Sequence, residues 1–99
     1  MRVVITHAAF ADLLLIAREI REHNPARADT FVAELYERCQ GLGALPRAFP
    51  LIPAWEDRGV RRRAHASYLI FYRIERDAVE VLHVLHGGMD YETILFPDG

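Results

Sequence analysis

Between Gly59 and Gly87 the chain reads GVRRRAHASYLIFYRIERDAVEVLHVLHG. Its two apolar runs, Tyr68 to Ile74 and Val79 to Leu85, are separated by only a few residues, so they pair as antiparallel strands across a tight turn. Aligning Ile74 with Val79 around Glu75-Arg76-Asp77-Ala78 sets Arg73 opposite Glu80, an opposite-charge pair that contributes about 0.2–1 kcal/mol. That register places Leu69, Phe71, Leu82 and Val84 on one face. Tyr68, Ile70, Tyr72, Ile74, Val79, Val81, His83 and Leu85 take the other. A ribbon apolar on both faces needs cover on both, from helices on one side and from an irregular segment or a partner on part of the other. Arg61, Arg62 and Arg63 run straight into the first strand, at an accessible end of the ribbon.

The residues before the ribbon supply cover. Arg2 to Thr6 (RVVIT) is rich in β-branched residues and reads as a strand. A helix follows from about Ala8 to His23, with Thr6 as N-cap and Phe10, Leu13, Leu14, Ala17 and Ile20 as its apolar stripe. Asn24-Pro25 then starts a second helix, with Asn24 as cap and Pro25 at the first position, where a missing N–H is no loss. This helix runs to about Leu42 and buries Ala28, Phe31, Val32, Leu35, Cys39 and Leu42, so Cys39 is a small core residue. So short a link predicts an antiparallel helical hairpin. Gly41, Gly43 and Pro46 end it. From Arg47 to Arg58 the pattern is irregular; Pro50 and Pro53 bracket Leu51-Ile52, which allows an edge strand or extended segment but no central strand. Trp55 reads either as a cover over one end of the core or as an anchor for a partner.

At 99 residues, 52% of them hydrophobic, the chain is expected to form one domain over residues 1–99. No apolar run approaches the roughly 18 residues that span a bilayer, and no signal peptide opens the chain, which predicts a soluble, cytoplasmic protein with no membrane partner. The lone Cys39 fits a reducing compartment. All twelve basic residues are arginine, yet the net charge is -2. Uniform arginine usage is explained by codon bias, and the acidic balance argues against direct nucleic-acid binding.

Five histidines raise the question of a metal. His83 and His86 are three apart on a strand, so alternation sends them to opposite faces; nothing completes a tetrahedral ligand set, and neither a metal nor a cofactor is expected. Ser67 lacks the context of a nucleophile elbow, and a thiol on a buried helix face is inert. A metal-independent nuclease needs a general base, a general acid and a cation at the scissile phosphate, roles open to His65, His86, Arg62 and Tyr91, with Arg61 and Arg63 nearby. The simpler reading makes the arginines a solvated strand start and Tyr91 a cap on the core. Binding asks less of the same residues. Arg61, Arg62, Arg63 and His65 at one strand end, His86 and Tyr91 at the matching end, and Trp55 make an arginine–aromatic group of the kind that anchors protein interfaces.

The ordered combination of GVRR-x-x-H-x-x-YLIFYRI and VEVLHVLHGGMDYE after a strand and a helical hairpin resembles the RelE/ParE toxin superfamily of type II toxin–antitoxin systems. Its ParE branch is closer: Asp12-Leu13, Asn24-Pro25, Phe31-Val32, Cys39 with Leu42 and Pro46, Val60-Arg61-Arg62, Tyr68 to Tyr72 and Val84-Leu85-His86-Gly87 are similar to its pattern across nearly the whole chain. The resemblance implies an α/β (α+β) fold in which two N-terminal helices pack on a small, mainly antiparallel, twisted sheet. It also implies a cognate ParD-like antitoxin in a toxin–antitoxin hetero-oligomer. It points to DNA gyrase as target, poisoned by protein binding rather than enzymatic action, with RelE-like ribosome-dependent mRNA cleavage as the alternative. His83 and Met89 stand where ParE-like chains often carry arginine, and the loss of a cation weighs against cleavage.

Overall fold

Two short polar side chains set where the long helices begin. In a computed structural model that describes residues 1–99, Thr6 Oγ1 accepts from the Ala9 amide at 3.2 Å and opens α1 (His7–His23). Asn24 Oδ1 accepts from the Arg27 amide at 3.3 Å, with Pro25 at the first position of α2 (Pro25–Gly41). Both caps were legible in the sequence, because each removes an unpaired first-turn donor.

Four strands form one mixed sheet: β1 (Arg2–Ile5), β2 (Val60–His65), β3 (Tyr68–Glu75) and β4 (Ala78–His86), in the order β1-β4-β3-β2. β1 runs parallel to β4, and the other neighbours are antiparallel. The turn between β3 and β4 has the predicted register, with Ile74 opposite Val79 and Arg73 Nε bonded to Glu80 Oε1 at 2.8 Å.

Further along, the register slips. Phe71 pairs with His83 but Tyr72 pairs with Val81, leaving Leu82 as the extra residue of a β-bulge. One inserted residue inverts the alternation beyond it. Val84, expected beside Phe71, therefore lies in the helix-side core, and Leu85, expected with Tyr72, joins Phe71 on the opposite face. Asp12 of α1 stabilises the distortion: its Oδ2 accepts from the Val84 amide at 2.9 Å and bonds His83 Nδ1 at 2.8 Å.

The helix-side core joins Leu13, Ile16, Phe31, Leu35 and Cys39 to Ile70, Tyr72, Val79 and Val81. The second helix buries the residues its spacing predicts, Val32 only in part, while the first is rotated from its predicted stripe. Ala9, Leu13 and Ile16 are buried; Phe10 and Leu14 are 54% and 59% exposed. The first turns of α1 carry apolar residues over much of their circumference, so periodicity alone allowed two faces. Attachment to the sheet chooses one, through the Thr6 hydroxyl donating to the Val81 carbonyl at 2.6 Å and through Asp12.

The arginines do not begin a single long strand. They form β2 itself, turned back onto β3 by Ala66-Ser67, with Ala66 in the left-handed region at φ 53°. No Gly or Asn marks that turn. Pro50–Ile52 runs along the outer edge of β2 as the extended segment that the prolines predicted: Pro50 O accepts from Arg62 N and Ile52 N donates to Val60 O, both at 3.0 Å. A short helix, α3 (Tyr91–Leu95), was not foreseen. It closes the second face of the sheet over Ile52, Val60, Phe71 and Leu85, with Phe96 inserted among them.

Candidate partner-binding surface

Cross-strand pairing separates the three arginines. Arg61 and Arg63 stand opposite Tyr72 and Ile70 and share the helix-side face, whereas Arg62 stands opposite Phe71 and faces α3. Each already has intramolecular bonds. Arg61 Nη1 donates to the Phe49 carbonyl at 2.7 Å. Arg63 Nη1 donates to the Arg38 carbonyl at 3.1 Å, its guanidinium lying 4.7 Å from the Phe49 ring centre. Arg62 Nη1 donates to the Tyr91 hydroxyl at 2.6 Å, and the Tyr91 ring packs on Phe71. The expectation of free arginines at a strand end is thus corrected. They lie in the middle of a short strand whose both faces are covered, and their donors go to a carbonyl of the irregular segment for Arg61, the Tyr91 hydroxyl for Arg62 and a carbonyl of α2 for Arg63.

The remaining candidates divide in the same way. His65 bonds Glu34 at 3.0 Å and its ring lies 5.5 Å from Phe31. Glu34 is also held by Arg27; that hydrogen bond, then the one from His65, lowers its pKa to about 2. His86 lies exposed at the end of β4, its Nδ1 accepting from the Gly88 amide at 3.0 Å and its ring edge-on to Tyr68. Trp55 stacks on Phe96 at 4.4 Å between ring centres and donates through Nε1 to Glu92, so it covers the end of the second core. Arg58 lies over both rings.

A nuclease centre would need His65, His86, Arg62 and Tyr91 around one point. Arg62 and Tyr91 are together, but His65 lies across the sheet from them, bonded to α2. Nowhere do three His, Cys, Asp or Glu side chains gather closely enough to hold a metal ion. The strand register keeps the alternation between His83, opposite Phe71, and His86, opposite Tyr68, although both side chains line one cleft at the end of β4. That cleft, about 250 Å³ between α1 and the end of β4, went unrecognised in the sequence. Its one sequence signal is Asp12, a carboxylate among apolar residues of a helix that must dock on a sheet.

Burial accounts for the thiol. Cys39 is fully enclosed, and desolvation pushes its pKa up to about 11 despite the opposing charge of Arg63. It is a packing residue, as its place on α2 predicted.

No curated protein sequence is similar enough to register as a match. Among solved structures, a chain of the chromosomal ParDE TA system from P. aeruginosa superposes with a TM-score of 0.73 at 22% identity, covering 87% of this chain and 95% of that one. At that identity the likeness establishes the fold: two helices on a mixed sheet. The family described as the ParE toxin of type II toxin–antitoxin system, parDE, matches residues 3–91. Spanning both helices, the bulged sheet and its arginine strand, that match means that the chain belongs to the ParE toxin family.

Proposed function

We propose that this ParE-type toxin arrests growth by binding DNA gyrase, without cleaving RNA, and that a ParD-like antitoxin neutralises it. The observation that carries the choice is the dispersal of the groups a metal-free nuclease would use: Arg62 and Tyr91 on one sheet face, and His65 tied to Glu34 on the other. General acid–base catalysis needs such groups within hydrogen-bond reach of one phosphate. Protein binding needs only their exposed edges and apolar neighbours.

On this reading Arg62, Tyr91 and Trp55 form one contact group beside α3. Arg61, Arg63, His65 and His86 contribute from the helix-side face and the end of β4. An arginine already oriented by Tyr91 presents its remaining donors to a carboxylate at low entropic cost. Purified protein is expected to inhibit gyrase supercoiling and to leave mRNA on translating ribosomes intact, with inhibition and growth arrest relieved by the antitoxin encoded beside it. Ribosome-dependent cleavage that disappears in His86→Ala or His65→Ala would reverse the assignment to the nuclease alternative.

A further inference from the structure

Four arginines gather along the helix side of the edge strand β2. Arg61 and Arg63 share that face, two residues and so roughly 7 Å apart along the strand. Arg47 lies in the segment whose carbonyl accepts from Arg61, and Arg38 in the turn of α2 whose carbonyl accepts from Arg63. None of the four belongs to any of the molecule's ion pairs. The acids beside them on α2 do not neutralise them. Glu34 is already held by Arg27 and His65, and Glu37 leaves the helix about 100° round from Arg38.

Two of these guanidinium groups are fixed and two are free. Arg61 and Arg63 are oriented by the Phe49 and Arg38 carbonyls, and Arg63 also lies over the Phe49 ring, yet each keeps most of its five donors uncommitted. The side chains of Arg38 and Arg47 make no hydrogen bond; the fold uses only their backbone. Like charges gathered on one face repel one another in the folded chain, and an anion laid over them relieves that repulsion.

Shape and charge select the anion. None of the molecule's clefts is lined by any of the four, so the surface is open and a small anion would find no enclosure there. A protein segment seeks an apolar centre, and Phe49, the ring among these arginines, is already covered by Arg63. A nucleic-acid duplex needs neither enclosure nor apolar contact. It carries a charge about every 1.7 Å, its phosphates suit the planar arginine fork, and the protein faces that meet it are much more positive than those that meet proteins. The net charge of -2 keeps the molecule as a whole from being drawn to DNA, so a second contact has to hold this face against it. Gyrase, which carries a DNA duplex, supplies such a contact.

We propose that the face formed by Arg38, Arg47, Arg61 and Arg63 lies against the phosphodiester backbone of the duplex that gyrase holds, so that the toxin binds the gyrase–DNA complex more tightly than gyrase without DNA. The proposal rests on gyrase being the target and adds that DNA forms part of the surface the toxin recognises.

Arg38→Gln/Arg47→Gln removes two cations whose side chains the fold does not use, so this double variant is expected to keep the wild-type Tm. Binding of the labelled full-length toxin is measured over a salt series against gyrase alone, gyrase with a bound duplex, and the duplex alone. At low salt the wild type is expected to bind the gyrase–duplex complex about tenfold more tightly than gyrase. The double variant loses that gain, its log–log salt slope for the complex falls by about two, and its affinity for gyrase alone is unchanged. Equal affinity for gyrase with and without the duplex overturns the proposal. So does a variant weakened equally toward both, which would assign the arginines to acidic groups on gyrase. A toxin that binds gyrase in neither form overturns the proposed function instead, and the duplex alone then decides the arginine face. Weak low-salt binding whose slope falls by about two in the variant supports it, and no binding overturns it.

Discussion

One carboxylate oxygen of Asp12 serves both the displaced Val84 amide and the His83 ring, in a half-buried setting. Asp12→Ala leaves both donors without that acceptor and is expected to cost about 2–3 kcal/mol, read from the urea midpoint at constant m. A change under about 0.5 kcal/mol would mean that the bulge holds without it. Glu34 is the residue whose folded pKa, about 2, lies farthest below its ordinary 4.5, through Arg27 and then His65. Its contribution is complete above pH 4.5 and disappears as pH falls toward about 2. Glu34→Gln should flatten the stability–pH curve in that acid window, and since the pair is exposed, added salt should flatten it in the wild type. Cys39 follows from burial: native protein should resist iodoacetamide at pH 8, with alkylation appearing only in denaturant. Rapid native labelling would show that the core around α2 opens.

Individual elements differ in how far their neighbours in sequence determine them. Caps, the prolines around Leu51 and the β3–β4 turn act locally, and each was legible. The Ala66-Ser67 turn is also local, but its residues carry no turn signal. At φ 53° Ala66 occupies a conformation that glycine adopts without steric cost. Ala66→Gly is therefore expected to stabilise the β2–β3 hairpin by about 0.5–1 kcal/mol, measured by thermal unfolding. Destabilisation would mean that the gain in unfolded-chain entropy outweighs the relief of strain. The bulge in β4 is different, since nothing between Val81 and Val84 announces it. What the structure adds beside the bulge is Asp12, distant in sequence, whose carboxylate accepts from the Val84 amide.

The whole molecule has two cores on opposite faces of one sheet. The second is small and is completed by the last residues of the chain. Phe96 is 5% exposed, stacked on Trp55 among Val60, Phe71 and Leu85. Phe96→Ala should cost about 3–5 kcal/mol and raise binding of a hydrophobic dye. If the loss stays under about 1 kcal/mol, α3 is a loosely held cover rather than part of the cooperative fold. Exposed apolar side chains remain after both cores are filled, including Phe10 and Leu14 on α1 and Leu15 in the cleft. Such leftover area suits a protein that functions in a complex. No helix of the chain is long and apolar enough to cross a membrane.

The sequence by itself determined the helical hairpin, the buried face of α2, the core role of Cys39, the Arg73–Glu80 register and the kinship with ParE toxins. These depend on capping, on period and on charge pairs close along the chain. Only the tertiary structure decided which face of α1 is buried, that β1 joins the sheet in parallel, and that α3 closes the second core. It likewise separated Arg62 from Arg61 and Arg63 and drew His83 and His86 to one cleft. The physical reason is common to all of these. An arginine or histidine can be placed on a strand from its neighbours, but its face and its partner are set by a bulge, a docked helix or a carbonyl that the chain brings up from far away.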